Sequence, residues 1–168
     1  MKYTGITIGP IVATLSMARR PRELWSASYL FSLLMDCIKS CIPKDRIVSP
    51  AKATGYEKCG VGLYPDRIFI KGEFDIKAAE EKSKQEFLKK TQLKSFGYFN
   101  MMSAQCEAEN ATDAVASLNR MLDVAELDNM AKSDGDREEI LQLIQKKYGS
   151  PLFEIEFGKK EFKIESLG

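Results

Sequence analysis

The sequence predicts an α+β domain over residues 1–108, followed by a helical and β-hairpin extension over residues 109–168. Three observations carry this. Residues 2–8 are dense in β-branched side chains and end at Gly9-Pro10, as a strand running into a turn does. Residues 22–41 form a long apolar helical run between Pro21 and Pro43. Residues 59–64 and 67–71 read as two strands around a tight Pro65-Asp66 turn.

Taken in order, strand one is followed by Pro10, which suits the first turn of a helix because its missing N–H costs nothing there. Ile11, Leu15 and Ala18 then share one helical stripe, with Val12 beside it. Pro21 breaks that helix and starts the next. In this second helix Leu24, Trp25, Tyr29, Leu30, Phe31, Leu33, Leu34, Met35 and Ile38 nearly encircle the axis, which predicts cover on most sides. Residues 44–58 form a polar connection, with a possible short strand at Ile47-Val48.

After the 59–71 strand pair, residues 75–93 make a charged amphipathic helix with Ile76, Ala79, Ser83, Phe87 and Leu88 inward. Residues 97–108 fit helix or strand, and the aromatics after Gly97 favour strand. Asn110 and Asp113 open a helix whose stripe is Val115, Leu118, Met121, Leu122 and Ala125. A loop at 133–136 caps another helix with Ile140, Leu141, Leu143 and Ile144, and residues 153–164 read as a terminal hairpin. Residues 2–108 therefore run β-α-β-β-α-β, the ferredoxin-like split βαβ, with helices expected on one face of an antiparallel sheet.

Composition removes whole classes of chemistry. The chain has 168 residues and no histidine, so Ser-His-Asp and Cys-His nucleophiles, H-E-x-x-H zinc sites and His-Asp phosphohydrolase sites are excluded. A net charge of +1 gives no global basic field, so any nucleic-acid contact needs a local patch. No run reaches the roughly 20 apolar residues of a membrane span. Cys37, Cys41, Cys59 and Cys106 form no C-x-x-C pair. They read as reduced, buried cysteines of a cytoplasmic protein rather than a zinc site.

A β-α-β-β-α-β core is also that of palm-type polymerase and cyclase domains. The run I-G-P-I at 8–11 and S-M-A-R-R-P-R-E-L-W-S-A-S-Y-L-F-S at 16–32 resembles a specific family. The family it resembles is the amino-terminal palm of the large polymerase/cyclase-like subunit of type III CRISPR effector complexes, particularly the III-B branch. Tyr64-Pro65-Asp66-Arg67-Ile68-Phe69 is similar to the proline-containing hairpin of that family. Two departures stand out: Pro21 replaces the usual Thr, and Ala27 the usual Gly.

The resemblance implies a palm that does not catalyse. An active palm carries a metal-binding Asp at the end of strand one and a G-G-D-D hairpin, which together hold two Mg²⁺. Here those places read Ile8-Gly9-Pro10 and Tyr64-Pro65-Asp66-Arg67, and one carboxylate cannot neutralise two divalent ions. No catalytic residue and no metal ligand are therefore expected in this chain. The family's second palm polymerises ATP into cyclic oligoadenylate, a second messenger of antiviral defence, with Mg²⁺. This chain would supply the other wall of the ATP cleft. Its expected partners are that second palm, other effector subunits and, indirectly, crRNA and target RNA. The family's zinc-binding cysteine cluster is not matched, and the chain is expected to be an N-terminal portion of such a subunit.

The candidate nucleotide or partner-palm contacts are Gly9, Arg19, Arg20, Arg22, Ser26, Ser28, Tyr64, Asp66 and Arg67. Arg19, Arg20 and Arg22 crowd the positive end of a helix, which an anion would relieve. Glu23 already balances part of that charge. Ser26 and Ser28 suit either nucleotide contact or close helix packing. Asp66 reads first as turn chemistry, and Trp25 as core rather than a base-stacking platform. The lysine-rich helix from Lys77 to Lys94 is interspersed with Glu80, Glu81 and Glu86, so it reads as a solvated face. Asp134-Gly135-Asp136 lacks the further ligands of a calcium loop. The alternative to the palm reading is a stand-alone ferredoxin-like module that works by protein association, without nucleotide chemistry.

Overall fold

The structure, a computed structural model, describes residues 1–50, 65–129 and 137–145. In chain order the elements are β1 (Lys2–Gly9), α1 (Ile11–Leu15), α2 (Pro21–Lys39), a 3₁₀ turn (Lys44–Arg46), β2 (Ile47–Ser49), β3 (Arg67–Lys71), α3 (Ile76–Thr91), β4 (Asn100–Glu107), α4 (Ala111–Asn129) and α5 (Arg137–Gln145). The sheet order is β2-β3-β1-β4, and every neighbouring pair is antiparallel. This is the ferredoxin-like α+β arrangement that the element order predicts. Register brings Thr7 opposite Arg67 and Gly9 opposite Asn100.

β1 lies in the middle of the sheet, and its alternation serves two cores. Ile6 and Ile8, with Ile68 and Ile70 of β3, face α2 and join Leu30, Leu34, Met35 and Ile38 in the larger core. Tyr3, with Phe69 of β3, faces the other way and meets Ala114, Leu118 and Leu122 of α4. The helices of residues 2–108 lie on one face, as the ferredoxin-like order predicts, and the other face is covered by α4 from the extension. The α4 stripe is legible in part: Leu118 and Leu122 are buried as expected and Val115 is partly buried, but Met121 is exposed and Ala114 takes its place against the sheet. What brings α4 onto the sheet is Gly5, where a Cβ would stand 3.1 Å from Leu122 Cδ1 and 3.3 Å from Leu118 Cβ.

Residues 21–39 are helical because Pro21 fits the first turn, Glu23 favours the positive end and Lys39 the negative end. The helix is buried on most sides because the sheet, α1, α3 and α5 all pack on it. α3 begins at Asp75, whose side chain accepts from the Ala78 N–H at 3.2 Å. It buries Ala79, Ser83, Phe87 and Thr91 at four-residue spacing. It ends at Gln92 in the left-handed conformation, φ 60°. Phe87 and Phe99 meet edge to face at 5.0 Å.

Several local expectations change. The first helix stops at Leu15, before Ala18, and Ser16 bonds back to the Ala13 carbonyl at 2.8 Å, competing with the helix ladder. Thr14 and Met17 are the buried residues there, while Val12 is exposed. The possible short strand at Ile47-Val48 is real and pairs with β3 as the sheet's second strand. The strand expected at 59–64, the loop at 133–136 and the hairpin at 153–164 lie outside the described residues. Residues 97–108 resolve as strand, with Tyr98 and Phe99 buried just before it.

Candidate functional site

The antiparallel register puts the end of β1 beside the beginning of β3 and the beginning of β4. Gly9, Pro10, Asp66, Arg67 and Asn100 therefore share one end of the sheet. α2 starts at that end too, since it returns along β1 after the short α1. α4 finishes there: Glu126 in its last turns accepts from Thr7 Oγ1 at 2.7 Å.

The turn after β1 is fixed from inside. Thr14 Oγ1 and the Tyr98 hydroxyl, both buried, are 2.8 Å apart, which ties α1 to the residues leading into β4. The Gly9-Pro10 peptide is cis. Gly9 is buried, and a Cβ on it would meet Met102 Cε at an ordinary 3.6 Å. Neither residue offers a carboxylate to the site.

Asp66 is exposed. Arg67 points the opposite way from Ile68, toward α4, and its side chain is only 16% exposed. Its Nη2 pairs with Asp123 Oδ1 at 2.6 Å and Glu126 Oε1 at 2.8 Å, while Nη1 donates to Asn119 Oδ1 at 2.8 Å. Burial works against the guanidinium charge, but the hydrogen bonds it donates to Asp123 and Glu126 outweigh it, so its pKa is raised. A residue read from the sequence as a nucleotide or partner contact is thus engaged by α4. Asn119, Asp123 and Glu126 are the residues that sequence reasoning missed. Their four- and three-residue spacing on one helical face was visible, but which arginine they meet depends on α4 crossing the sheet.

At the start of α2, Arg19 and Arg20 are exposed. Arg22 is half-buried, and its Nη2 donates to the Gln145 carbonyl at the end of α5, at 3.3 Å. Glu23 is 5% exposed and accepts from the Arg19 N–H at 2.8 Å, so the helix end already has a buried anion. Pro21 has no N–H, and those of Glu23 and Leu24 both donate to the Arg20 carbonyl at 3.0 Å. Any phosphate here would be held chiefly by guanidinium groups rather than helix-end amides.

Ser26 is buried, and its hydroxyl donates to the Arg22 carbonyl at 3.0 Å. Ser28 is half-buried. Trp25 stacks on Tyr29 at 5.1 Å with planes 5° apart. Tyr64 lies outside the described residues. The sheet end thus brings together Gly9, Asp66 and Arg67 and adds Asn100, Asp123 and Glu126, while Arg22 is engaged by α5. Among the described residues, no three acidic or cysteine side chains converge to hold a metal ion.

Over residues 3–94 the chain matches the family described as CRISPR-associated protein Cmr2, N-terminal. No curated protein matches it.

Proposed function

We propose, because the chain belongs to the family of the N-terminal region of CRISPR-associated protein Cmr2, a type III effector subunit, that it is a non-catalytic palm forming one wall of an ATP cleft. The observation that supports this best is the pairing of Thr7 with Arg67. It sets the ends of β1 and β3 side by side, where a catalytic palm needs carboxylates for two Mg²⁺ ions. One of those ends carries Gly9-Pro10 and the other Asp66-Arg67, with Arg67 turned away to α4. Asp66 is the one carboxylate on these two strand ends, and Asp123 and Glu126 nearby are already paired with Arg67, which leaves most of the charge of two ions uncompensated.

The same end retains cations. Arg19 and Arg20, just before α2, are exposed and suit triphosphate oxygens, while Arg22 is held by the Gln145 carbonyl. In this reading the second palm, carried elsewhere in the intact subunit, supplies Mg²⁺ and the chemistry that makes cyclic oligoadenylate. This chain supplies shape and positive charge. Its partners are that palm and the other subunits of the effector, with crRNA and target RNA reached through them, in the cytoplasm.

The test is equilibrium binding of a fluorescent ATP analogue to the chain and to an Arg19→Ala, Arg20→Ala variant. Loss of two charge-assisted contacts is expected to weaken binding about tenfold. Equal affinity, or no binding at millimolar nucleotide, overturns the cleft assignment. Mg²⁺-dependent release of pyrophosphate by the chain overturns the non-catalytic part.

A further inference from the structure

The outer face of α4 is the surface that neither the core nor the sheet end accounts for. Six large apolar side chains are exposed among the described residues, and three of them, Met121 (44%), Val124 (59%) and Leu127 (68%), lie on this face. They recur every three residues, so they form one stripe and not scattered single exposures. The inner stripe of Ala114, Leu118 and Leu122 is already satisfied by the sheet. α4 is therefore apolar on two sides, which a helix closing a domain against solvent alone does not require.

The charges beside the stripe say what covers it. Arg120 precedes Val124 by four residues and Asp128 follows it by four, and both are exposed. If two copies of α4 cross antiparallel at Val124, each residue before 124 meets the residue equally far after it in the other copy. Arg120 then faces Asp128 of the second copy, twice, and Met121 lies alongside Leu127. The pattern is self-complementary in apolar content and in charge, as a two-fold contact demands. A parallel crossing gives no such pairing. Asp123 and Glu126 are withheld from the contact by their ion pairs with Arg67.

We propose that a second copy of this chain docks on α4, antiparallel and centred on Val124. The surface is one helix face, 19 residues or about 28 Å long, so the contact belongs with small, transient interfaces and forms at high protein concentration. The proposal does not rest on the nucleotide reading. The Arg19, Arg20 surface and this face are on different elements and can be varied separately.

Sedimentation equilibrium over a concentration series reaching the millimolar range tests it. The chain is expected to show a reversible monomer–dimer equilibrium. Val124→Asp, at an exposed helical position, should abolish association while leaving the circular dichroism spectrum and melting temperature unchanged. Arg120→Asp and Asp128→Arg should each weaken self-association about tenfold, because each turns both attractive pairs repulsive. Mixing those two variants should restore a heterodimer, since each then meets its complement. A monomer at all concentrations overturns the proposal. So does association that survives Val124→Asp, or single variants that do not recover on mixing.

Discussion

The two faces of the sheet are built differently. The α2 face buries an almost wholly apolar set: Ile6, Ile8, Ile68 and Ile70 against Leu30, Leu34, Met35 and Ile38, closed by Phe87 and Phe99. Among the described residues, the α4 face has five buried residues in its core, Tyr3, Phe69, Ala114, Leu118 and Leu122. Beyond that small core it is held by a polar network, in which Thr7 and Arg67 reach Asn119, Asp123 and Glu126. Apolar burial is non-directional, whereas hydrogen-bonded ion pairs fix position. The first face therefore supplies most of the stability, and the second sets where α4 sits at the candidate site. Glu126 and Arg67 are the hinge between those roles.

The largest expected effect lies on the α2 face. Leu34 is fully buried, so Leu34→Ala removes apolar contact and leaves a cavity, costing about 3 kcal/mol. Chemical denaturation should show a lower midpoint for the whole cooperative unit. An equal cost for Leu122→Ala on the other face would erase the contrast only if α2 amides also lost exchange protection. The contrast requires Leu122→Ala to expose α4 first.

Gly5 tests the α4 face directly. Gly5→Val puts branched carbon where Leu122 and Leu118 already approach within 3.1 and 3.3 Å of a Cβ. The expected cost is about 2 kcal/mol, since relief requires α4 to lift. Hydrogen exchange should accelerate in α4 while α2 stays protected. Uniform loss across both helices would mean that the two faces do not separate energetically.

Arg67→Ala is smaller. It strips the partner from Asp123, which is largely exposed, and from Glu126, which is about one third exposed. The cost falls between the exposed-pair and buried-pair limits, about 1–2 kcal/mol. Adding Glu126→Gln to it should cost less than the sum of the two single changes, as a double-mutant cycle reads a shared interaction. Strict additivity would remove the network from the account.

These residues also mark where the sequence was readable. β1, β3 and the long helix follow from periodicity and from Pro10, Pro21 and Pro43, all of which act locally. The role of Ile47–Ser49 as the sheet's second strand was only half visible, because three residues carry too little periodicity. Arg67 is the clearest case of what could not be read. As the first residue of β3 it alternates with Ile68, so its face was predictable, but the helix waiting on that face is more than fifty residues away in the chain. Glu23 differs again: its place in the first turn of α2 was plain, yet its burial goes with the turn before α2, where the Arg19 N–H donates to it. Of the candidate contacts, Gly9, Asp66 and Arg67 reach one end of the sheet because the strand register puts them there. Ser26 is turned into the core by the packing around α2.

The smallest effect contrasts the faces through their cysteines. Cys37, in the α2 core, has its thiol pKa pushed up to about 11 by burial, against an ordinary 9.0, although Lys90 nearby pulls the other way. Cys106, on the α4 side, is also raised by burial but is half-buried. At pH 8 a thiol reagent should therefore label Cys106 well before Cys37. The raised value has a definite sign for stability. Below pH 9 the Cys37 thiol is protonated whether the chain is folded or not, so it contributes no pH dependence. Between 9 and 11 the unfolded chain releases this proton while the folded chain keeps it, so stability falls as pH rises. Lysines and tyrosines titrate in the same window, and for that reason the reading is a difference. Wild type should lose stability faster over that range than Cys37→Ala. Parallel curves would mean that water reaches the last turn of α2, and that the α2 face is not dry there.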